Sequence, residues 1–93
     1  MLLSIKYTNK MKRDVKRMSK RGKDISKLTI VLNILLVDRQ LPENYRDHPL
    51  RGDMTGYREC HIEPDWLLIY RIIEDELVLV ASGTGTHADL FNQ

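Results

Sequence analysis

Residues 57–82 read YRECHIEPDWLLIYRIIEDELVLVAS, and their pattern decides the fold. Three apolar-rich runs are separated by two breaks. The first run, residues 57–63, stops at Pro64, which has no backbone N–H to give to a sheet ladder. The second, residues 66–73, is WLLIYRII, rich in the aromatic and β-branched side chains that suit a pleated surface. Glu74-Asp75 makes a tight connection to the third run, residues 76–82. These lengths suit strands. The last two runs should pair as an antiparallel hairpin.

Working outward, residues 2–7 alternate weakly and read as a short N-terminal strand. Thr8 or Asn9 can cap a helix reaching about Ser19. On it Met11, Val15 and Met18 fall on one face, and Lys10, Lys12, Arg13, Lys16, Arg17 and Lys20 fill the rest. Gly22 is a C-terminal stop. Asp24 can cap a second helix to about Arg39, ended by Pro42. Its apolar set is Ile25, Leu28, Leu32, Leu35 and Leu36, widened by Ile30, Val31 and Ile34. The order β-α-α-β-β-β predicts an α+β fold. An N-terminal strand precedes a helical hairpin, packed on a mainly antiparallel four-stranded sheet whose other face is free for work.

Ninety-three residues suffice for one domain, here residues 1–93. The formal net charge of +2 hides a polarised chain. Residues 1–30 hold ten basic and two acidic residues, a net +8; the other 63 hold five arginines and eleven acids, a net −6. Such asymmetry points to a polyanionic partner. The apolar content of 42% with 30% charged residues excludes a disordered chain. The longest apolar stretch, residues 28–37, is interrupted by Thr29 and Asn33 and is too short to span a membrane. The N-terminal residues lack the pattern of a secretory signal. The lone Cys60 precludes an internal disulfide. A reducing, cytoplasmic location is expected.

The three histidines all fall outside the expected helices, at strand ends or in loops, so they could meet on one patch or stay separate surface residues. No close-spaced pair of zinc ligands exists, and adjacent Cys60 and His61 point to opposite faces of a strand, so no metal site is expected. Cys60 reads as a small buried hydrophobe. General acid–base chemistry fits better. Cleaving RNA by its own 2′-hydroxyl needs a base, an acid and cations on the phosphate. His48, His61, His87 and Asp65 are candidates for the first two. The basic first helix attracts phosphate at long range.

Three blocks carry a family resemblance: Asp47-His48-Pro49-Leu50 with Gly52; Gly56-Tyr57-Arg58-Glu59-Cys60-His61-Ile62-Glu63-Pro64-Asp65-Trp66 with Leu68-Ile69-Tyr70; and Gly85-Thr86-His87-Ala88-Asp89-Leu90-Phe91. In this order they resemble the YafQ branch of the RelE/ParE toxin superfamily, over essentially the whole chain. The resemblance implies a small RelE-like fold and a ribosome-dependent endoribonuclease, an mRNA interferase without cofactor or metal. It implies as partners the 70S ribosome, mRNA and a small antitoxin, typically two toxins with two antitoxins. His48, His61, Asp65 and His87 match the family's catalytic positions. His87 resembles the general acid, and Asp65 is the carry-over for the base. Trp66 and Phe91 match positions that shape the site or bind substrate, Phe91 by stacking and Trp66 by packing beneath. Lys10, Lys12, Arg13, Lys16, Arg17 and Lys20 become the ribosome-docking set.

One departure stands out. Members usually carry Arg two residues before the Gly of a Gly-Ser/Thr-His block, where this chain has Gly83. Either another cation, such as Arg46, Arg51 or Arg58, serves instead, or the change is detoxifying. The intact remainder of the site favours the second. In that case Gly83→Arg should restore cleavage. Two further readings are a ParE-like toxin that binds gyrase without catalysis and an inactive antitoxin-binding module. The three histidine positions argue against the gyrase reading.

Overall fold

Five strands, not four, form one sheet in the computed structural model, which describes residues 1–91. The strands are β1 (Ser4–Tyr7), β2 (His48–Pro49), β3 (Arg58–Glu63), β4 (Trp66–Ile73) and β5 (Val78–Gly85), in the spatial order β1-β5-β4-β3-β2. The additional strand is β2. Two residues are too few to show a period-2 pattern, and β2 exists only through its pairing with β3. All neighbours run antiparallel except β1 and β5. That parallel pair is bridged by the two helices and the rest of the sheet.

Helix α1 (Asn9–Lys20) starts where the Thr8 hydroxyl accepts from the Met11 amide at 3.0 Å. Helix α2 (Ile25–Asp38) starts where the Asp24 carboxylate accepts from the Ser26 amide, also at 3.0 Å. Each cap satisfies a donor that the first helical turn leaves open. Met11 and Met18 of α1 and Leu28, Val31, Leu32 and Leu35 of α2 pack on Cys60, Trp66, Leu68, Tyr70, Leu79 and Ala81 of the sheet. Ile30 lies outside this core at 53% exposed. It stands about 200° around the helix from Leu28, so the apolar stripe is narrower than expected. Among the described residues no helix is long and apolar enough to cross a membrane.

Strand β5 begins and ends later than residues 76–82. Glu76 and Leu77 belong to the turn, with Leu77 in the left-handed region at φ 54°. Beyond Ser82 the strand continues through Gly83, Thr84 and Gly85, which read locally as loop. It persists because both its edges are covered. Residues 83–85 pair with β4 on one side. On the other, β1 pairs only as far as Tyr7↔Ala81, and α1 takes over. The Thr8 hydroxyl donates to the Ser82 carbonyl at 3.1 Å, and the Thr84 amide donates to the buried Asp14 carboxylate at 3.1 Å.

His87 does not sit in a loop. It opens a third, short helix, α3 (His87–Phe91). The cause is reciprocal capping: the Thr86 amide donates to Asp89 at 2.9 Å, and the Asp89 amide donates to the Thr86 hydroxyl at 3.1 Å. Arg21 of the α1 C-terminus clasps the same carboxylate at 2.6 and 3.0 Å. The Arg21 guanidinium, helped by Thr86, holds the Asp89 carboxyl well below the usual carboxylate range. A carboxyl depressed in the folded state contributes stability above its unfolded value, and that contribution is lost as pH falls through the folded one. Acidification below about pH 4 should therefore loosen α3 from α1, seen as faster amide exchange at Leu90 and Phe91. Asp89→Asn should remove this pH dependence.

Candidate active site

The sheet has a helix-covered face and an outer face, and strand alternation sorts the candidates between them. Cys60, Leu68 and Tyr70 point to the helices and join the core. Glu59, His61, Leu67 and Ile69 therefore point outward. Cross-strand register then builds a row. His48 of β2 stands opposite Glu59 of β3, Glu59 opposite Ile69 of β4, and Ile69 opposite Gly83 of β5. His61 lies two residues along β3 from Glu59, on the same face. α3 brings His87 to the end of β5.

The three imidazoles meet as a line. Ring centroids are 6.2 Å apart for His48 and His61, and 5.9 Å for His61 and His87. Phe91 continues it, 6.4 Å from His87. Each ring is held through Nδ1. His48 Nδ1 faces the Arg46 carbonyl at 2.8 Å, His61 Nδ1 the Pro64 carbonyl at 3.3 Å, and His87 Nδ1 the Asp65 carboxylate at 2.7 Å. All three partners are acceptors, so each Nδ1 is the donor of its bond and Nε2 is the nitrogen turned away from it. Asp65, in the β3–β4 turn, also accepts from the His87 amide at 3.0 Å. These two hydrogen bonds hold the Asp65 carboxyl below its ordinary value, the amide first and the ring second.

Glu59 is the residue that spacing missed. It is 5% exposed, and one of its oxygens lies 3.6 Å from Nε2 of both His48 and His61. The available signal was its place two residues before a candidate histidine on a strand. The fold also gathers a group that linear spacing did not show. Donor atoms of His48, Glu59 and His61 all lie within 4.8 Å of one another, close enough to hold a metal ion.

Trp66 is fully buried on the helix side, so substrate cannot reach it. Its indole N–H donates to the Thr84 hydroxyl at 2.9 Å, which donates in turn to the Leu67 carbonyl at 2.6 Å. It lies on the opposite side of the sheet from His61 and Glu59. Burial pushes the Cys60 thiol far up, away from nucleophilic thiolate. Arg58 is drawn to Asp47 at 2.9 Å, and Asp47 also accepts from the Tyr70 hydroxyl. Arg58 shares the face of Cys60 and Tyr70, so it is not the cation of the histidine face. Arg46 is exposed and lines a small pocket with His61, and Arg51 is exposed. A larger cavity of about 540 Å³ lies between the end of α2 and the β4–β5 turn, lined by Arg39, Gln40, Asp47, Arg58 and Glu74, and contains no histidine.

The basic helix divides in two. Lys10 and Arg17 are bound to Asp14 at 2.6 and 3.1 Å. Lys12, Arg13, Lys16 and Lys20 are exposed and have no carboxylate partner among the described residues.

Gly83 is not an empty place. A Cβ there would lie 3.1 Å from Lys10 Nζ and 3.3 Å from an Asp14 oxygen. At Gly85 a Cβ would lie 2.9 Å from Asp89, so α3 can close on the strand only because residue 85 is glycine.

Residues 3–92 match the family model described as a bacterial toxin of type II toxin–antitoxin systems, YafQ. The chain is 44% identical over 88 residues to the mRNA interferase toxin YafQ of Escherichia coli K12, covering 94% of each. The toxin in the E. coli DinJ–YafQ toxin–antitoxin complex superposes with a TM-score of 0.87 at 43% identity, over 98% of this chain and 99% of that one. A metal-bound toxin from Helicobacter pylori superposes with a TM-score of 0.89 at 38% identity, over 98% of this chain and all of that one.

Proposed function

The chain belongs to the YafQ family of type II toxin–antitoxin toxins, and from that premise we propose that it is a metal-independent mRNA interferase acting on ribosome-bound mRNA. One observation carries the reading: three neighbouring imidazoles on one sheet face, each anchored through Nδ1, with the Glu59 carboxylate 3.6 Å from Nε2 of His48 and of His61. In this mechanism His61 Nε2 takes the 2′-hydroxyl proton. The freed oxygen bonds to phosphorus, the bond from phosphorus to the 5′-oxygen breaks, and His87, entering the step as the imidazolium with Nδ1–H on Asp65, gives that oxygen its Nε2 proton. The products are a cyclic phosphate end and a 5′-hydroxyl end. Asp65 is a positioning residue rather than the base. Its carboxyl sits below the usual range and is already engaged by His87, which makes it a poor proton acceptor. Glu59 holds His48 and His61 in place, and Phe91 stacks on a nucleobase beside His87.

Its partner is a cognate antitoxin protein, two toxins assembling with two antitoxins. Ribosomal RNA docking falls to Lys12, Arg13, Lys16 and Lys20. Neutralising Lys12, Arg13 and Lys16 together should weaken ribosome binding most at low salt. The slope of log affinity against log salt should flatten by up to about one unit for each phosphate no longer neutralised. Binding titrations across a salt series check this.

The test of the function is cleavage of mRNA on programmed ribosomes. The chain should cut in the decoding site and leave naked RNA intact. If translation continues while DNA supercoiling fails first, the gyrase-binding alternative is correct. Binding of antitoxin without either effect would mark an inactive module.

The group of His48, Glu59 and His61 suggests one condition on activity. Imidazole and carboxylate donors suit zinc and copper(II). An ion there would occupy the nitrogen lone pairs that proton transfer needs. Micromolar zinc or copper(II) should inhibit cleavage, chelator should restore it, and chelator alone should leave activity unchanged. Titration of the chain and of His48→Gln with copper(II), read by histidine NMR, locates the ion.

A further inference from the structure

We infer that Lys10 is a catalytic residue of this chain, supplying the cation that meets the phosphate of the bound mRNA. The inference rests on the ribonuclease reading above.

The placement comes from the sheet. Gly83 ends the row that begins with His48, Glu59 and Ile69. α1 covers the neighbouring edge of β5, and Lys10 reaches from its first turn into the space that a side chain at residue 83 would fill. This space borders Ile69, which stands opposite Glu59 on the outer face of the sheet. Lys10, Gly83, Ile69, Met54 and Leu90 line one groove of about 220 Å³, and Leu90 belongs to the helix that carries His87. An RNA strand lying along the histidines would run past this groove.

The charge is available there. Asp14 is buried and fixed by the Thr84 amide, and it is shared between Lys10 and Arg17. Two cations on one carboxylate leave a net positive charge. Arg17 also turns toward Asp89, whereas the Lys10 side chain stays 51% exposed. Of the other cations, Arg21 is committed to Asp89, Lys23 and Lys27 to Glu63, and Arg58 to Asp47 behind the sheet, while Arg46 is exposed beside His61 and precedes β2, at the far end of the row from Gly83. Attack of the 2′-oxygen puts extra negative charge on the phosphate oxygens, and a pre-placed ammonium stabilises it without reorganising. A side chain on one element thus fills the role that position 83 cannot, and the chain is a competent enzyme, not a detoxified one.

Single-turnover cleavage on programmed ribosomes tests this with Lys10→Met, Lys10→Arg, Gly83→Arg and the double variant Lys10→Met with Gly83→Arg. Lys10→Met should lower the cleavage rate by about 10²–10³-fold, by analogy with loss of an oxyanion donor. Ribosome affinity should stay nearly unchanged, and the variant should stay folded at some cost in melting temperature, because Asp14 keeps Arg17 and the Thr84 amide. Lys10→Arg should keep most of the rate. Gly83→Arg should rescue Lys10→Met but add little to the unaltered chain, because both cations claim the same space. An unchanged rate for Lys10→Met, or a loss confined to ribosome affinity, overturns the proposal. So does an inert unaltered chain that Gly83→Arg activates; that result would leave the ribonuclease reading standing. If neither the chain nor Gly83→Arg cleaves, the ribonuclease reading falls and this inference with it.

Discussion

Replacing His87 by alanine is expected to lower ribosome-dependent mRNA cleavage by about 10²–10⁴-fold, the usual worth of a positioned general acid. The 5′-oxygen is a poor leaving group as an anion, so its departure depends on a proton delivered as the bond breaks. His87 is placed for this by two independent constraints. The Thr86–Asp89 capping pair fixes the start of α3, and Asp65 fixes the ring through Nδ1. The fall should appear in the cleavage rate at saturating toxin, with ribosome affinity retained. Asp65→Asn should cost less, because it leaves the acid present but less well oriented. If His87→Ala cleaves as fast as the unaltered chain, the proton comes from elsewhere and the mechanism proposed above is wrong.

The second large effect concerns stability. Trp66→Ala should destabilise the fold by about 3–5 kcal/mol, a large share of the roughly 5–15 kcal/mol available to a domain of this kind. The indole is fully buried in the core that α1 and α2 share with the sheet. Its removal leaves a cavity and takes away the indole donor that the Thr84 hydroxyl accepts. Urea unfolding should show a lower midpoint at similar slope. Trp66→Phe should retain most of the stability and nearly all of the cleavage rate per folded molecule. A Trp66→Phe variant that folds well but cleaves slowly would instead place the indole in contact with substrate.

Much of the architecture follows from near-neighbour rules. Trp66–Ile73 is a strand with the expected bounds, and Thr8 and Asp24 cap the two helices as their side chains predict. Helix α3 was not among the expected elements, although Thr86-His87-Ala88-Asp89 carries the spacing of a capping box. Strand β2 and the end of β5 were not legible. Both are held by partners distant in sequence, β2 by β3 and the tail of β5 by Asp14 of α1.

The site divides in the same way. Sequence by itself determined the residue types for acid–base chemistry, the charge split of +8 and −6, and a family resemblance that the comparisons bear out. Tertiary structure alone decided which of those residues meet. It set Glu59 between two histidines, turned Arg58 to the opposite face, and divided the basic helix between free cations and cations bound to Asp14. It also laid Lys10 over Gly83. The reason is register. Periodicity and capping act between residues a few positions apart. The face a strand residue takes depends on pairing with distant strands and on bulges such as those at residues 61–63 and 69–70, and a slip of one residue would reverse every side chain.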